Sequence, residues 1–592
     1  MLNRDRPFVL LDDARPGALA RLYSAPISIV SAETAADVQG ALAELRAAQK
    51  KGLHAAGWIS YEAGAAFETR LQARVHARPA DAPLLWFGLF EQAEIFASKD
   101  VPARLPPPHS AWASRPRPRL SPAHYARLVE RVQAYLRAGD VYQINLTFQN
   151  DIDVIGDPLA LYAQMREASA AGWGGVAFDG ETWLLSASPE MFFTLANGGI
   201  EMRPMKGTVR READAAADRE AARRLALDPK QQAENLMIVD LLRNDVSRVA
   251  ARGSVSAPDL FTVETYPTLH TLTSSVRARL DKGKDVVDVL EALFPCGSVT
   301  GAPKIRAMEI IHELESEARG AYTGSMGWIS PDGDAAFNVL IRSLVMKDGA
   351  GCATLGLGSG VVMDSLTDAE WRECLAKGAF VTAARPALQL IETIRFEPDA
   401  GIALLEQHLE RLAHSARALG FSCDLEAVRM AIATTVKTLK APRRLRLLLS
   451  PDGSAEIATH PMPARSSGVV EAALGALPVR ADDFRLRHKT TSRAFYDEAR
   501  AQCGAFEVVF VDLDGFVTEG SFTNVFVARD DKLATPPLRR GLLPGVLRAK
   551  LIADGEAFES DIRPEELKDG FFIGNALRGL MRAQLRREPS LS

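Results

Sequence analysis

"CGSVTGAPKIRAMEIIHELESEARGAYTGSMGW", residues 296–328, carries the pattern from which the fold is read. A helix is expected over "GAPKIRAMEIIHELE" (301–315), and β-like runs follow it: "GAYTGSMGWIS", "AAFNVLIRSLVM" and "CATLGLGSGVVM". The tetrapeptide "GWIS" occurs at 57–60 and again at 327–330, which fits two related sheets packed face to face. Upstream, "SPAHYARLVERVQAYLRAGD" reads as a helix, with Ser121 at the N-cap, Pro122 in the first turn and Gly139 at the stop. It leads into "VYQINLTFQ", a strand, and a further helix is expected over 228–250. "DAEWRECLAKGAFVTAA" (368–384) reads as one helix ending before Pro386, and the Pro-rich run 101–125 reads as an extended connection whose "RPRPR" is a solvated linker.

The chain has 592 residues, too many for one ordinary core, and its 47% hydrophobic and 24% charged content is that of a globular protein. A new strand–turn–helix pattern begins at "LQLIETIRFEPDAG", which places a boundary near 386. The expected parts are 1–120 and 121–385, together one large domain, and 386–592 as a second. A net charge of −5 argues against nucleic acid as a partner, since neutralising phosphates needs a basic face. Five cysteines without a CxxC pair argue against a disulfide framework or structural zinc. The first twenty residues lack the apolar core of a signal peptide, and no run of 18 apolar residues offers a membrane span. A cytoplasmic location is the expectation.

Acidic residues stand where a solvated surface explains them poorly. Glu190 lies between apolar strand segments in "LLSASPEMFF", Glu234 lies on the apolar helix, and Glu370 and Glu373 share a helix face at i and i+3. Such carboxylates would suit Mg2+, although by spacing alone ordinary surface acids remain the favoured reading.

The opening stretch, with "SPE", "KGT", "AENLMIVDLLRND", "NVLIRS", "GSGVVMDSLTDAEWRE" and "AKG" in order, resembles the chorismate-binding enzymes. That family includes anthranilate synthase component I, aminodeoxychorismate synthase component I, and the isochorismate and salicylate synthases. The resemblance implies an α+β fold, a large two-sheet β-sandwich with outer helices. It implies Glu234, Glu370 and Glu373 as Mg2+ carboxylates and Glu190 as the acid that protonates the departing C4 hydroxyl. It implies Arg342 and Lys377 for the carboxylates of chorismate, with Tyr322 and Thr300 at the substrate. Backbone N–H groups at Gly358 and Gly360 are expected near an anion.

Two positions bear on the subfamily. Gln143 stands where isochorismate and salicylate synthases carry a water-activating lysine, and a neutral amide cannot serve as that base. Lys206, in "PMKGT", resembles the "PIKGT" of aminodeoxychorismate synthases rather than the "PIAGT" of anthranilate synthases. The resemblance implies a neutral lysine amine that attacks the ring, with ammonia then entering at C4. No nucleophile turn of a glutaminase is present in the sequence, so a separate glutamine amidotransferase subunit is the expected source of ammonia.

In the C-terminal part, "RLRHKTTSRAFYDEAR", "DGFVTEGSFTNVFV", "ETIR", "HLERL", "GLLPGVLR" and "FFIGNALRG" resemble the fold-type IV pyridoxal phosphate enzymes. The resemblance implies Lys489 as the residue that bonds the cofactor and Glu519 as partner of its ring nitrogen. It implies Arg411, Gly545, Val546 and Asn575 around the phosphate and Arg446 at a substrate carboxylate. A homodimer through this domain is also implied. The combined expectation is conversion of chorismate to 4-amino-4-deoxychorismate and then, with loss of pyruvate, to 4-aminobenzoate. Two alternatives stay open: an anthranilate synthase component fused to a class IV aminotransferase, and a synthase whose C-terminal part is only an interaction module.

Overall fold

The computed structural model describes residues 2, 4–72, 82–212, 214–265, 269–384, 387–464 and 468–586. Two compact units divide the chain: Met1–Pro108, Arg115–Ile152 and Pro158–Ala384 form the first, and His109–Ser114, Asp153–Asp157 and Arg385–Ser592 the second. Arg385 and Pro386, where the sequence places the junction, lie outside the described residues.

The first unit is built on two large sheets. One runs, in spatial order, Gly301–Ala302, Gln143–Gly156, Cys352–Val361, Ser343–Lys347, Thr182–Ser186, Gly174–Phe178, Phe8–Asp12, Leu19–Ser24 and Glu94–Ala97. The other runs Val276–Arg279, Gly199–Met202, Met191–Ala196, Ala335–Asn338, Ser325–Ile329, His54–Ile59, Leu85–Phe90 and Ser28–Ala32. Strand alternation sends successive side chains to opposite faces, and this divides the core in two. Trp58, Trp86 and Met326 of the second sheet meet Val9, Tyr23, Ala177 and Leu184 of the first, forming the filling of the sandwich. Phe87, next to Trp86, faces the other way. There, with Phe193 and Phe337, it packs against Leu42, Ile238 and Leu290 of the helices Ala35–Lys50, Pro229–Ser247 and Val286–Leu293.

Several expectations change at this level. The two "GWIS" copies are not in different sheets: they are neighbouring antiparallel strands, with Gly57 directly opposite Gly327. A Cβ on Gly57 would stand 1.9 Å from the Trp86 carbonyl oxygen, and one on Gly327 would stand 2.2 Å from that of Ala336. The repeat therefore records close approach of backbones within one sheet. The helix expected from residue 301 begins at Lys304, because Gly301 and Ala302 pair with Ile144 and Gln143. The helix expected over 368–384 is two, Thr367–Lys377 and Phe380–Ala383. The helix Pro122–Ala138 is capped as read: the Ser121 hydroxyl accepts from the His124 N–H, and Gly139 is left-handed at φ 78°.

The Pro-rich run is not a plain linker. Ala111–Ala113 is a strand paired with residues 154–156, and Trp112 is buried in the core of the second unit, its Nε1 donating to the Leu419 carbonyl at 2.8 Å. Arg119 pairs with Asp151 and Glu317 at 2.8 and 2.7 Å rather than standing free in solvent.

The second unit has a sheet ordered Gly401–Ile402, Leu390–Glu397, Arg443–Leu449 and Ala455–Pro461, covered by the helices Leu405–Leu419 and Leu425–Val436. Its larger sheet runs Val517–Gly520, Glu507–Val511, Val470–Ala476, Gly579–Leu585, Phe571–Asn575, Asn524–Arg529, Lys532–Thr535 and Ala557–Glu559. Among the described residues, no helix is long and apolar enough to cross a membrane.

Candidate active sites

Lys206 owes its position to a small sheet that the sequence does not announce. Met205–Arg210 pairs with Leu269–Thr273, and the register slips between Lys206 and Thr208, leaving Gly207 as a bulge at φ 75°. A Cβ on Gly207 would come 2.6 Å from Gln231 Oε1, so glycine meets both the backbone and the packing requirement. Bulges re-aim the flanking side chain. The Lys206 side chain here lines a cavity of about 370 Å³, and its Nζ donates to the Ser298 carbonyl at 3.3 Å. Burial pushes its pKa below the usual lysine value; Lys377 acts in the same direction, and the Glu190 and Glu234 carboxylates oppose it.

Glu190 lines the same cavity. It accepts a hydrogen bond from the Ser298 hydroxyl at 2.7 Å, and burial raises its pKa against the pull of that bond and of Lys206 and Lys377. Burial thus drives both members toward their neutral forms, a protonated acid beside a free amine. Ser298, which touches both, was not singled out in the sequence. Thr300, which was, does not line the cavity: its hydroxyl is spent on the Cys296 and Gly297 carbonyls, closing the turn that presents Ser298.

The three remaining acids line the cavity wall. Glu234 has its pKa raised chiefly by burial, with Asp364 and Glu373 adding to the rise. Glu370 accepts from the Ser365 hydroxyl at 2.7 Å, and Glu373 is paired with Lys377 at 2.8 Å. Oxygen donors of this kind suit Mg2+. Yet among the described residues no three acidic, histidine or cysteine side chains converge closely enough to hold an ion, so no step is routed through a metal here.

Arg342, Tyr322 and Lys377 line the cavity as the motif implied, and Lys377 Nζ also donates to the Gly358 carbonyl at 2.9 Å. Gly358 and Gly360 lie inside the strand Cys352–Val361 rather than in a loop, beyond Thr354 and Leu355 where that strand pairs with Ser343–Lys347, and their bareness makes room for other groups. A Cβ on Gly360 would stand 2.4 Å from Gln143 Nε2. Gln143 itself is buried in the wall with its Oε1 lacking a partner.

The second unit holds a cavity of about 540 Å³ lined by Lys489, Glu519, Arg411, Arg446, Gly545, Val546 and Asn575. Lys489 is half-buried, donates to the Thr393 hydroxyl at 3.0 Å, and has its pKa lowered to about 7, first by desolvation and then by Arg411. Glu519 is raised to about 7 by burial, and is held by the Tyr496 hydroxyl and by the Leu543 N–H at 3.0 Å. Arg411 is braced by Glu392 through two bonds of 2.9 and 2.6 Å; Glu392 also receives His408 Nδ1 at 2.6 Å. Arg411 Nη1 donates only to the Pro544 carbonyl, at 3.3 Å.

Gly545 caps the helix Val546–Ala553, where a Cβ would meet Asn524 Oδ1 at 1.8 Å. The Asn575 amide donates to the Phe522 carbonyl and accepts from the N–H groups of Leu577 and Arg578, which shapes the turn with one of its two N–H donors. Among the described residues, the buried Nη1 of the lining Arg493 has no partner. A lysine amine of lowered pKa, a buried carboxylate and an unsatisfied cationic donor are what pyridoxal phosphate requires, and the residues present fit it. Thr393 and Arg444 reach this cavity from neighbouring strands and Arg493 from the start of the helix Ala494–Cys503, whose Tyr496 backs Glu519; "ETIR" and "RLRHKTTSRAFYDEAR" contain Thr393, Arg493 and Tyr496 but do not say what these side chains touch.

Comparison with known proteins follows this division. Residues 6–383 match the chorismate binding enzyme family, and residues 389–585 match amino-transferase class IV. Aminodeoxychorismate synthase component 1 of Salmonella typhimurium is 42% identical over 268 residues, 45% of this chain and 58% of that protein. The protein of that name from Klebsiella aerogenes is 39% identical over 347 residues, 55% of this chain and 75% of that protein. Anthranilate synthase component I from Streptococcus pneumoniae TIGR4 superposes with a TM-score of 0.54 at 26% identity, covering 62% of this chain and 93% of that one. The chain therefore belongs to the chorismate binding enzyme family, with a class IV amino-transferase region following the chorismate-binding part.

Proposed function

We propose that this chain makes 4-aminobenzoate from chorismate in two steps, one in each cavity. The observation that carries the reading is Lys206, a half-buried amine that shares Ser298 with the buried acid Glu190. In the first step Lys206 Nζ attacks C2 of the ring as the C4 hydroxyl leaves, taking the proton of Glu190 and departing as water. Ammonia then adds at C4 while the bond from C2 to Lys206 breaks, giving 4-amino-4-deoxychorismate and the free lysine. Arg342 and Lys377 hold the carboxylates of chorismate through charge-assisted hydrogen bonds. Tyr322 and Gln143 flank the ring, and Glu234, Glu370 and Glu373 line the same cavity as acids that would have to draw together to hold Mg2+. Ammonia comes from a separate glutamine amidotransferase subunit. Addition of water is disfavoured because Gln143 offers no base.

In the second cavity pyridoxal phosphate, when bound, supplies an electron sink. Lys489 binds it and, once freed by the substrate amine, removes the C4 proton. The same amine returns a proton to the methylene of the departing enolpyruvyl group, and pyruvate and the aromatic product result. Glu519 would face the ring nitrogen, and Arg411, Gly545 and Val546 would hold the phosphate. A second reading, an anthranilate synthase component, is favoured by the superposition on the pneumococcal enzyme. Lys206, standing where those enzymes resemble alanine, weighs against it.

The deciding experiment supplies chorismate, Mg2+ and ammonium with and without pyridoxal phosphate. 4-Aminobenzoate with the cofactor, and 4-amino-4-deoxychorismate without it, is the expected result. Anthranilate as main product overturns the first step. 4-Amino-4-deoxychorismate persisting with the cofactor present overturns the second.

A further inference from the structure

The second cavity holds more positive charge than the roles above consume. Of its cationic side chains, Arg411 is neutralised by Glu392 and Arg500 is hydrogen-bonded to Asp497 at 3.0 Å. Arg444 and Arg578 also line it, and among the described residues neither has a carboxylate partner. The Arg578 pKa is lowered by burial and then by the charge of Arg444. Arg578 is held in place by other means, donating to the Ala464 carbonyl at 3.1 Å and lying 5.6 Å from the centre of the Phe506 ring. Among the described residues the buried Arg444 Nε has no acceptor. Two like charges kept together, one with an unsatisfied N–H, are unfavourable unless an anion completes them.

Strand geometry says where that anion lies. Arg444 and Arg446 alternate with the core residues Leu445 and Leu447 on the strand Arg443–Leu449, so they share a face, roughly 7 Å apart along it. Arg446 is directly opposite Thr393, whose hydroxyl receives Lys489 Nζ. Arg444 is one pair farther along, opposite Arg395. The lysine amine thus has one carboxylate post beside it and a second a short step away.

We infer that Arg444 and Arg578 form a second carboxylate site, which makes this cavity selective for dicarboxylate substrates over monocarboxylate amino acids. The inference rests on the two-step reading above and refines its second step: Arg446 takes one carboxylate and the Arg444–Arg578 pair takes the other. Guanidinium–carboxylate pairing is directional, so spacing as well as charge is read.

The test uses the full chain loaded with pyridoxal phosphate and two unreactive probes, benzoate and isophthalate, titrated by displacement or calorimetry. Isophthalate is expected to bind roughly tenfold or more tightly than benzoate. Arg444→Met and Arg578→Met should each abolish that preference, and Arg444→Lys should restore part of it. Cofactor affinity should be unchanged in all three variants. Equal binding of the two probes by the wild-type chain overturns the inference, as does a preference that survives both substitutions. Loss of cofactor affinity in the variants also overturns it, since it would assign the pair to the phosphate. A wild-type chain that takes up no cofactor but still prefers isophthalate would instead strike the lyase step and leave the arginine pair standing.

Discussion

The backbone carbonyl of Ser298 accepts a hydrogen bond from Lys206 Nζ at 3.3 Å. The same residue donates its hydroxyl to Glu190 at 2.7 Å, so one serine orients both a half-buried base and a buried acid. Neither partner is well solvated as an ion, and each is held where its neutral form is the useful one.

Replacing Lys206 by Ala is expected to lower ammonia-dependent consumption of chorismate by roughly 100-fold or more, the usual scale for removing a reacting group. Product analysis by chromatography reads this directly. Undiminished 4-amino-4-deoxychorismate formation in the variant rules out attack by this amine.

Ser298→Ala removes a hydrogen bond that favours the ionised form of Glu190. The Glu190 pKa, already raised by burial, should rise further, and the alkaline limb of the first step should move to higher pH. A pH profile of kcat for wild type and variant checks the direction. A shift toward lower pH contradicts the acid role given to Glu190.

Burial, and after it the charge of Arg411, lowers the Lys489 pKa to about 7 in the folded chain, below the usual lysine value of about 10.4. Between those values the unfolded chain binds more protons than the folded one, so this lysine makes the cofactor-free protein gain stability as pH rises through that window. Denaturant titrations across the window should show Lys489→Met with a flatter dependence than wild type. Cofactor uptake, followed by absorbance, should accelerate as pH rises through about 7 in wild type and be lost in Lys489→Ala.

Glu519→Gln keeps the shape of the cavity wall but removes the charge that pairs with the cofactor ring. The second step should slow by roughly 100-fold while the cofactor remains bound. Wild-type formation of 4-aminobenzoate in this variant argues that the carboxylate has no part in the chemistry.

Gly57→Ala places a Cβ 1.9 Å from the Trp86 carbonyl, a backbone atom with little room to yield. A loss of roughly 1–3 kcal/mol is expected in urea unfolding. Gly40→Ala, on the exposed side of the helix Ala35–Lys50 where nothing lies within 4 Å, should be neutral or stabilising and serves as its control.

The sequence by itself determined a good deal. The caps of Pro122–Ala138 were legible because Ser, Pro and Gly act on their own turn of backbone. Glu190, Lys206, Lys489 and Glu519 were legible because each sits in a motif whose order survives without coordinates. Tertiary structure decided what those residues touch. It replaced Thr300 with Ser298, joined the two "GWIS" strands in one sheet, turned the Gly-rich "GSG" into a packed strand, and gathered Arg444 and Arg578 from 134 positions apart in the chain. The physical reason is common to all four. Backbone conformation and capping depend on near neighbours in sequence, whereas hydrogen-bond partners, burial and the charge of a cavity depend on strands and helices that only folding brings together.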